Sequence, residues 1–130
     1  TTKTWYENGQ LQQEGTGVED LSFWNQNKLE GTFKKWYENG QLMLDQSYKD
    51  GHLNGLRKTF YENGQISSEV SFVNEKKNGM EREWDKEGRL TSEGKYINGN
   101  QEGRWKIWYW ETNKYRFVDY KNGQRLDLSQ

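Results

Sequence analysis

Gly55-Leu56-Arg57-Lys58-Thr59-Phe60-Tyr61-Glu62-Asn63-Gly64-Gln65-Ile66-Ser67-Ser68-Glu69-Val70-Ser71-Phe72 decides the fold. The stretch reads as a β-hairpin closed by Asn63-Gly64, the strongest short-range signal for such a turn. Asn-Gly predicts a two-residue type I′ turn, with positive φ at both central residues. Glu-Asn-Gly-Gln recurs at Glu7–Gln10 and at Glu38–Gln41, and Glu87-Gly88 stands at the equivalent place once more.

Working outward, the hairpin repeats along the whole chain. Gly31, Gly55, Gly79 and Gly103 are 24 residues apart, as are Trp36, Phe60, Trp84 and Trp108, and Trp24, Tyr48, Phe72, Tyr96 and Tyr120. Three series in one phase mean a repeat architecture. The chain is therefore one repeat domain over 1–130, built of about five hairpin units. The first unit breaks step, because Gly9 to Trp24 is 15 residues where Gly40 to Tyr48 is 8, and this places an insertion at 15–21. It reads as a binding loop or, preferred, as an insertion tolerated near the end of an array. The last unit, 103–130, has Thr112 where a turn glycine is expected and is rich in rings; capping of the open end is preferred over a binding patch.

A two-residue turn fixes register. It predicts Tyr61 against Ile66, Thr59 against Ser68, Lys58 against Glu69 and Gly55 against Phe72. The same operation gives Tyr37 against Leu42, Lys34 against Asp45, Gly31 against Tyr48, Arg82 against Glu93, Gly79 against Tyr96, and Lys3 against Glu14. Four hairpins thus predict one opposite-charge pair, which supports the register independently. Side chains alternate along a strand. One face then carries the tyrosines, leucines and glycines, each glycine covered by the facing ring, and is the more buried. The other carries Trp36, Phe60, Trp84 and Trp108 with the ladder of ion pairs, and stays partly open. The fold expected is all-β: a single-layer twisted antiparallel sheet of tandem hairpins.

Only 30% of residues are hydrophobic and 30% are charged, yet 15% are aromatic. So many rings argue against disorder, and so few aliphatics argue against a large core. A thin sheet held by rings on both sides fits, since each ring buries about 150–250 Å². Net charge is −1, with no basic excess to draw nucleic-acid phosphates. No polybasic run marks a membrane surface, and no apolar run approaches the ~20 residues of a membrane span. The absence of cysteine removes disulfide and thiol chemistry.

Catalytic material is scarce. His52 is the only histidine and sits in a polar connection, which reads as an exposed turn residue. One histidine and no cysteine leave little for a metal site, and no cofactor motif is present. Glu14, Asp45, Glu69 and Glu93 recur, but each faces a predicted cation, so pairing explains them better than glycosidase chemistry. The tryptophan series is different. Rings about 9–10 Å apart, set between charged pairs, have the composition of a binding interface. Packing over the sheet's second face is the alternative, and the two readings are compatible. The candidate partner-binding residues are Trp36, Phe60, Trp84, Trp108, Lys34, Lys58, Arg82 and Lys106.

Trp36-Tyr37-Glu38-Asn39-Gly40-Gln41-Leu42, then Tyr48-Lys49-Asp50-Gly51 and Asn54-Gly55, resemble the bacterial variant of the MORN repeat, as found in the YwqK-family antitoxins. The resemblance implies an elongated sheet of hairpins without enzymatic activity, and a protein partner, a cognate toxin, neutralised by direct binding. A secreted or surface-exposed interaction protein is the alternative it leaves open. Glu75 departs from the pattern at a loop glycine, Asp85 at a tyrosine and Thr112 at the turn glycine. A start at Thr1 rather than Met reads as a processed or trimmed product. A cytoplasmic location goes with the antitoxin reading, and a secreted one with a removed signal segment.

Overall fold

The computed structural model describes residues 2–15 and 30–126. Beyond Gly15 the expected insertion lies outside the described residues, as do Trp24 and residues 127–130 of the last unit. The described chain forms β1 (Thr2–Trp5), β2 (Leu11–Gly15), β3 (Gly31–Trp36), β4 (Leu42–Lys49), β5 (His52–Leu53), β6 (Gly55–Phe60), β7 (Ile66–Val73), β8 (Lys76–Trp84), β9 (Leu90–Ile97), β10 (Asn100–Tyr109), β11 (Lys114–Lys121) and β12 (Gln124–Leu126). All pair antiparallel in one open sheet that follows chain order, with the short β5 beside β4. The all-β hairpin array is the expected fold.

The hairpin turns differ from expectation. Asn63 does not take positive φ; Gly64 alone does, at 91°. Its amide donates to the Tyr61 carbonyl at 3.0 Å, and the Tyr61 amide donates to the Gln65 carbonyl at 2.8 Å. This is a type I turn closed by a left-handed glycine, the three-residue hairpin loop. Asn63 holds it from inside, its Oδ1 accepting the Gln65 amide at 2.9 Å. Register therefore shifts beside the turn, and Phe60, not Tyr61, lies opposite Ile66. Trp36 likewise lies opposite Leu42, where Tyr37 was expected. Directly opposed residues share a face, so Leu42 and Ile66 move to the tryptophan face. The type I′ turns sit instead at the far edge, in the connections between successive hairpins. There Asp50-Gly51, Asn74-Glu75, Asn98-Gly99 and Asn122-Gly123 all have positive φ and join tightly paired strands. In the last hairpin the left-handed residue is Asn113, one place beyond Thr112.

Away from the turns the predicted register holds. Lys3 faces Glu14, Lys34 faces Asp45, Lys58 faces Glu69, Arg82 faces Glu93, and Gly55 faces Phe72. The reason for the period-24 glycines is not the expected one. No ring atom lies within 4 Å of where a Cβ on Gly55, Gly79 or Gly103 would stand. Their φ values are 101°, 114° and 79°, open to glycine alone without strain. Each sits in a bulge between repeats: Val70 faces Glu81 but Phe72 faces Lys77, and Glu93 faces Lys106 but Lys95 faces Glu102. Rings lie instead over two other described glycines: a Cβ on Gly15 would stand 3.4 Å from the Phe33 ring, and one on Gly94 would collide with the Trp105 indole.

The buried residues Gln46, Val70, Phe72, Glu81, Trp105 and Val118 all lie on the glycine face, as parity requires. A single sheet buries them by lateral cover. Tyr96 and Tyr120 meet Trp105 edge-on at 5.2 and 6.0 Å, leaving it 3% exposed. Glu81 holds the Lys77 ammonium at 2.7 Å, and that ammonium lies 4.8 Å from the Tyr96 ring centre. Burial raises the Tyr96 pKa, and the Glu81 charge adds to it. Burial opposes the Lys77 charge, but the hydrogen bond and charge of Glu81 outweigh it and raise the Lys77 pKa.

Candidate binding face

The opposite face is built in three rows. The middle row is a continuous ladder of opposed residues: Lys3, Glu14, Lys34, Asp45, Lys58, Glu69, Arg82, Glu93, Lys106 and Phe117. Charge alternates strand by strand because neighbouring repeats meet in the same register as the two strands of one hairpin. Arg82 is held from both sides, with Nε 2.7 Å from Glu93 and Nη1 3.4 Å from Glu69. These two acceptors raise the Arg82 pKa, the Glu93 hydrogen bond most of all. Phe117 ends the alternation and is 61% exposed.

A second row runs beside the type I turns. Trp36, Phe60 and Trp84 close their strands opposite Leu42, Ile66 and Leu90, and Trp108 lies opposite Tyr115; all four are half-buried. All the candidate residues read from the sequence, Trp36, Phe60, Trp84, Trp108, Lys34, Lys58, Arg82 and Lys106, thus come together on one face. At its C-terminal end Trp108 packs against Tyr115 at 4.9 Å and Trp110 at 6.0 Å. The Arg89 guanidinium lies 4.5 Å from the Trp108 ring centre and 5.5 Å from that of Trp110.

A third row went unread in the sequence. Leu56, Val73, Met80 and Ile97 lie toward the type I′ turns, and each is 37–46% exposed. Strand parity already assigns them to this face; they escaped notice because they are out of phase with the tryptophan series. Among the described strand residues, every exposed large hydrophobic side chain, Trp5 and Leu126 included, belongs to the ladder face.

Cross-repeat bonds keep the face continuous. The hydroxyls of Tyr6, Tyr37 and Tyr61 donate to the carbonyls of Trp36, Phe60 and Trp84 at 2.6, 2.6 and 2.7 Å. The amides of Asn8, Asn39 and Asn63 reach the carbonyls of Glu38, Glu62 and Lys86 at 3.0, 2.9 and 3.1 Å. Asp85 interrupts the tyrosine series, and its Oδ1 accepts the amides of Glu87 and Arg89. The junction it leaves is spanned by Tyr115, whose hydroxyl donates to the Leu90 carbonyl at 2.9 Å. At the other edge the amides of Asp50, Asn74, Asn98 and Asn122 bond to the side chains of Glu30, Asn54, Asn78 and Glu102. His52 is exposed on β5, its Nδ1 2.7 Å from Glu75 Oε1. Among the described residues no helix is long and apolar enough to cross a membrane.

The family described as the MORN repeat variant matches residues 1–18, 29–50 and 53–74. The hairpin array continues beyond the matched stretches through β12, with the type I turn repeated at Asp85–Gly88 and the β10–β11 connection closing over Trp110–Asn113 without a register shift. No protein of curated function matches the chain.

Proposed function

We propose, from the three stretches that match the MORN repeat variant, that this chain is a repeat-built binding scaffold whose ladder face covers a protein partner and blocks it, as an antitoxin or immunity protein does. One observation carries the reading. The two faces of one sheet are unequal, with the buried side chains on one and the exposed apolar side chains on the other. The exposed and half-buried rings, with Met80 and Arg82, are of the residue types enriched at interface centres, and the lysines and acids of the ladder suit a polar rim. The reading is non-catalytic, since the recurring carboxylates are used within the sheet: Glu93 and Glu69 both hold Arg82.

Capture from lysate of the source cell, with the wild type beside Trp36→Ala, Phe60→Ala and Trp84→Ala, tests it. Thermal melts first establish that the variants fold. One dominant partner is expected, weakened by about 2 kcal/mol or more for each ring removed. Its own activity should fall as the purified chain is added in stoichiometric amounts. A partner that survives all three substitutions places binding elsewhere, and a partner with unchanged activity removes the blocking role.

A further inference from the structure

The charge ladder fails at one place. Lys106 has Glu93 opposite it on β9, but on β11 its neighbour is Phe117, where every preceding hairpin has an acid. Glu93 is itself turned to Arg82 at 2.7 Å. Among the described residues no carboxylate oxygen comes within 4 Å of the Lys106 ammonium, which rests 4.2 Å from the Tyr115 ring centre.

A depression of about 380 Å³ opens at this break, lined by Met80, Glu93, Lys95, Arg104, Lys106 and Phe117. Its other charges are largely committed. Arg104 grips Asp119 with two bonds, at 3.0 and 3.2 Å. Glu102, also at its rim, accepts the Asn122 amide at 2.8 Å. Lys95 and Lys106 remain without a carboxylate partner among the described residues, on the two middle strands β9 and β10, with exposed Met80 beside them on β8 and exposed Phe117 on β11. The uncommitted charge is positive and the two flanks are apolar.

Resting on the scaffold reading above, we infer that this break is the primary docking point, and that it takes an acidic residue set beside a large apolar one on a partner polypeptide. The partner's carboxylate supplies the missing rung opposite Lys106, and its apolar side chain covers Phe117, the neighbour of Lys106 on β11. Exposed apolar side chains at the flanks of the site, Phe117 next to Lys106 among them, select a protein segment over a free phosphate, which has nothing to place on them. Desolvation by those side chains strengthens the carboxylate–ammonium pair relative to an exposed one.

The probe is a random dodecapeptide library displayed on phage and selected on the whole chain, with selected peptides then titrated by fluorescence anisotropy. Enriched peptides should carry Asp or Glu within two residues of Phe, Leu or Met. Lys106→Glu should weaken them about tenfold, and exchanging the peptide's acid for lysine should restore binding to that variant. Phe117→Glu should weaken them as much while leaving the melting temperature unchanged or higher, because it completes the ladder from within. Its retained stability separates loss of the site from loss of the fold. Selected peptides without an acid, or insensitive to both substitutions, overturn the inference; if the same peptides are lost with Trp36→Ala, the face reading stands without it. No enriched peptide also overturns the inference, and partner capture then judges the scaffold reading separately.

Discussion

The Tyr61 hydroxyl donates to the main-chain carbonyl of Trp84 at 2.7 Å, from one repeat to the next. Tyr61→Phe removes that bond and leaves the ring. It should cost about 1 kcal/mol in urea unfolding, the usual net worth of such a bond. Tyr109 is the control, since its ring meets Arg116 and its hydroxyl has no hydrogen-bond partner among the described residues. Tyr109→Phe should leave stability unchanged, and equal losses at both sites would show that the cross-repeat bond contributes nothing.

Two glycines of this sheet resist substitution for different reasons. At Gly94 an added methyl meets the Trp105 indole, while at Gly103 nothing lies within 4 Å but φ is 79°. Gly94→Ala should destabilise by about 3 kcal/mol through overpacking and shift the tryptophan fluorescence. Gly103→Ala should cost about 1–2 kcal/mol through backbone strain and leave the emission in place.

Alkaline solution should loosen the sheet. The Lys77 pKa is raised above 10.5 and the Tyr96 pKa above 10.0. A group whose folded pKa is raised contributes stability below its unfolded pKa and loses it as pH rises through the folded value. Stability should therefore decline above about pH 10, and less steeply in Lys77→Met. At neutral pH Lys77→Met should itself lose about 2 kcal/mol, because it strands the buried Glu81 carboxylate; the exposed outer part of Lys77 keeps the loss moderate. Adding Glu81→Leu should restore most of it. Denaturant midpoints at pH 7 and across the alkaline range decide both points.

Much of the architecture was legible because side-chain alternation and opposed charges constrain register from two directions. Lys34 with Asp45 and Arg82 with Glu93 are cross-strand pairs within one hairpin, so turn position and charge point to the same partner. The turn type was not legible, because Asn63-Gly64 suits either a two-residue or a three-residue loop. Here the loop type goes with the Asn63 amide reaching the Lys86 carbonyl, and a carbonyl acceptor leaves no mark in side-chain identity. The tyrosine-to-carbonyl bonds stayed hidden for the same reason. Trp105 looked like one ring among many, since its burial depends on Gly94, brought beneath it across a bulge at Gly103. The face holding the candidate residues followed from parity; its Leu56–Ile97 row and the depression at Phe117 needed the folded register.

The alternating ladder has a translational consequence. A bound molecule displaced by one strand meets the opposite sign at every rung, but one displaced by a whole repeat of two strands, about 10 Å, meets the same sign again. A face of this kind recognises phase and is blind to position. Absolute position can come only from what breaks the periodicity, and along the described ladder that break is the rung where Phe117 stands.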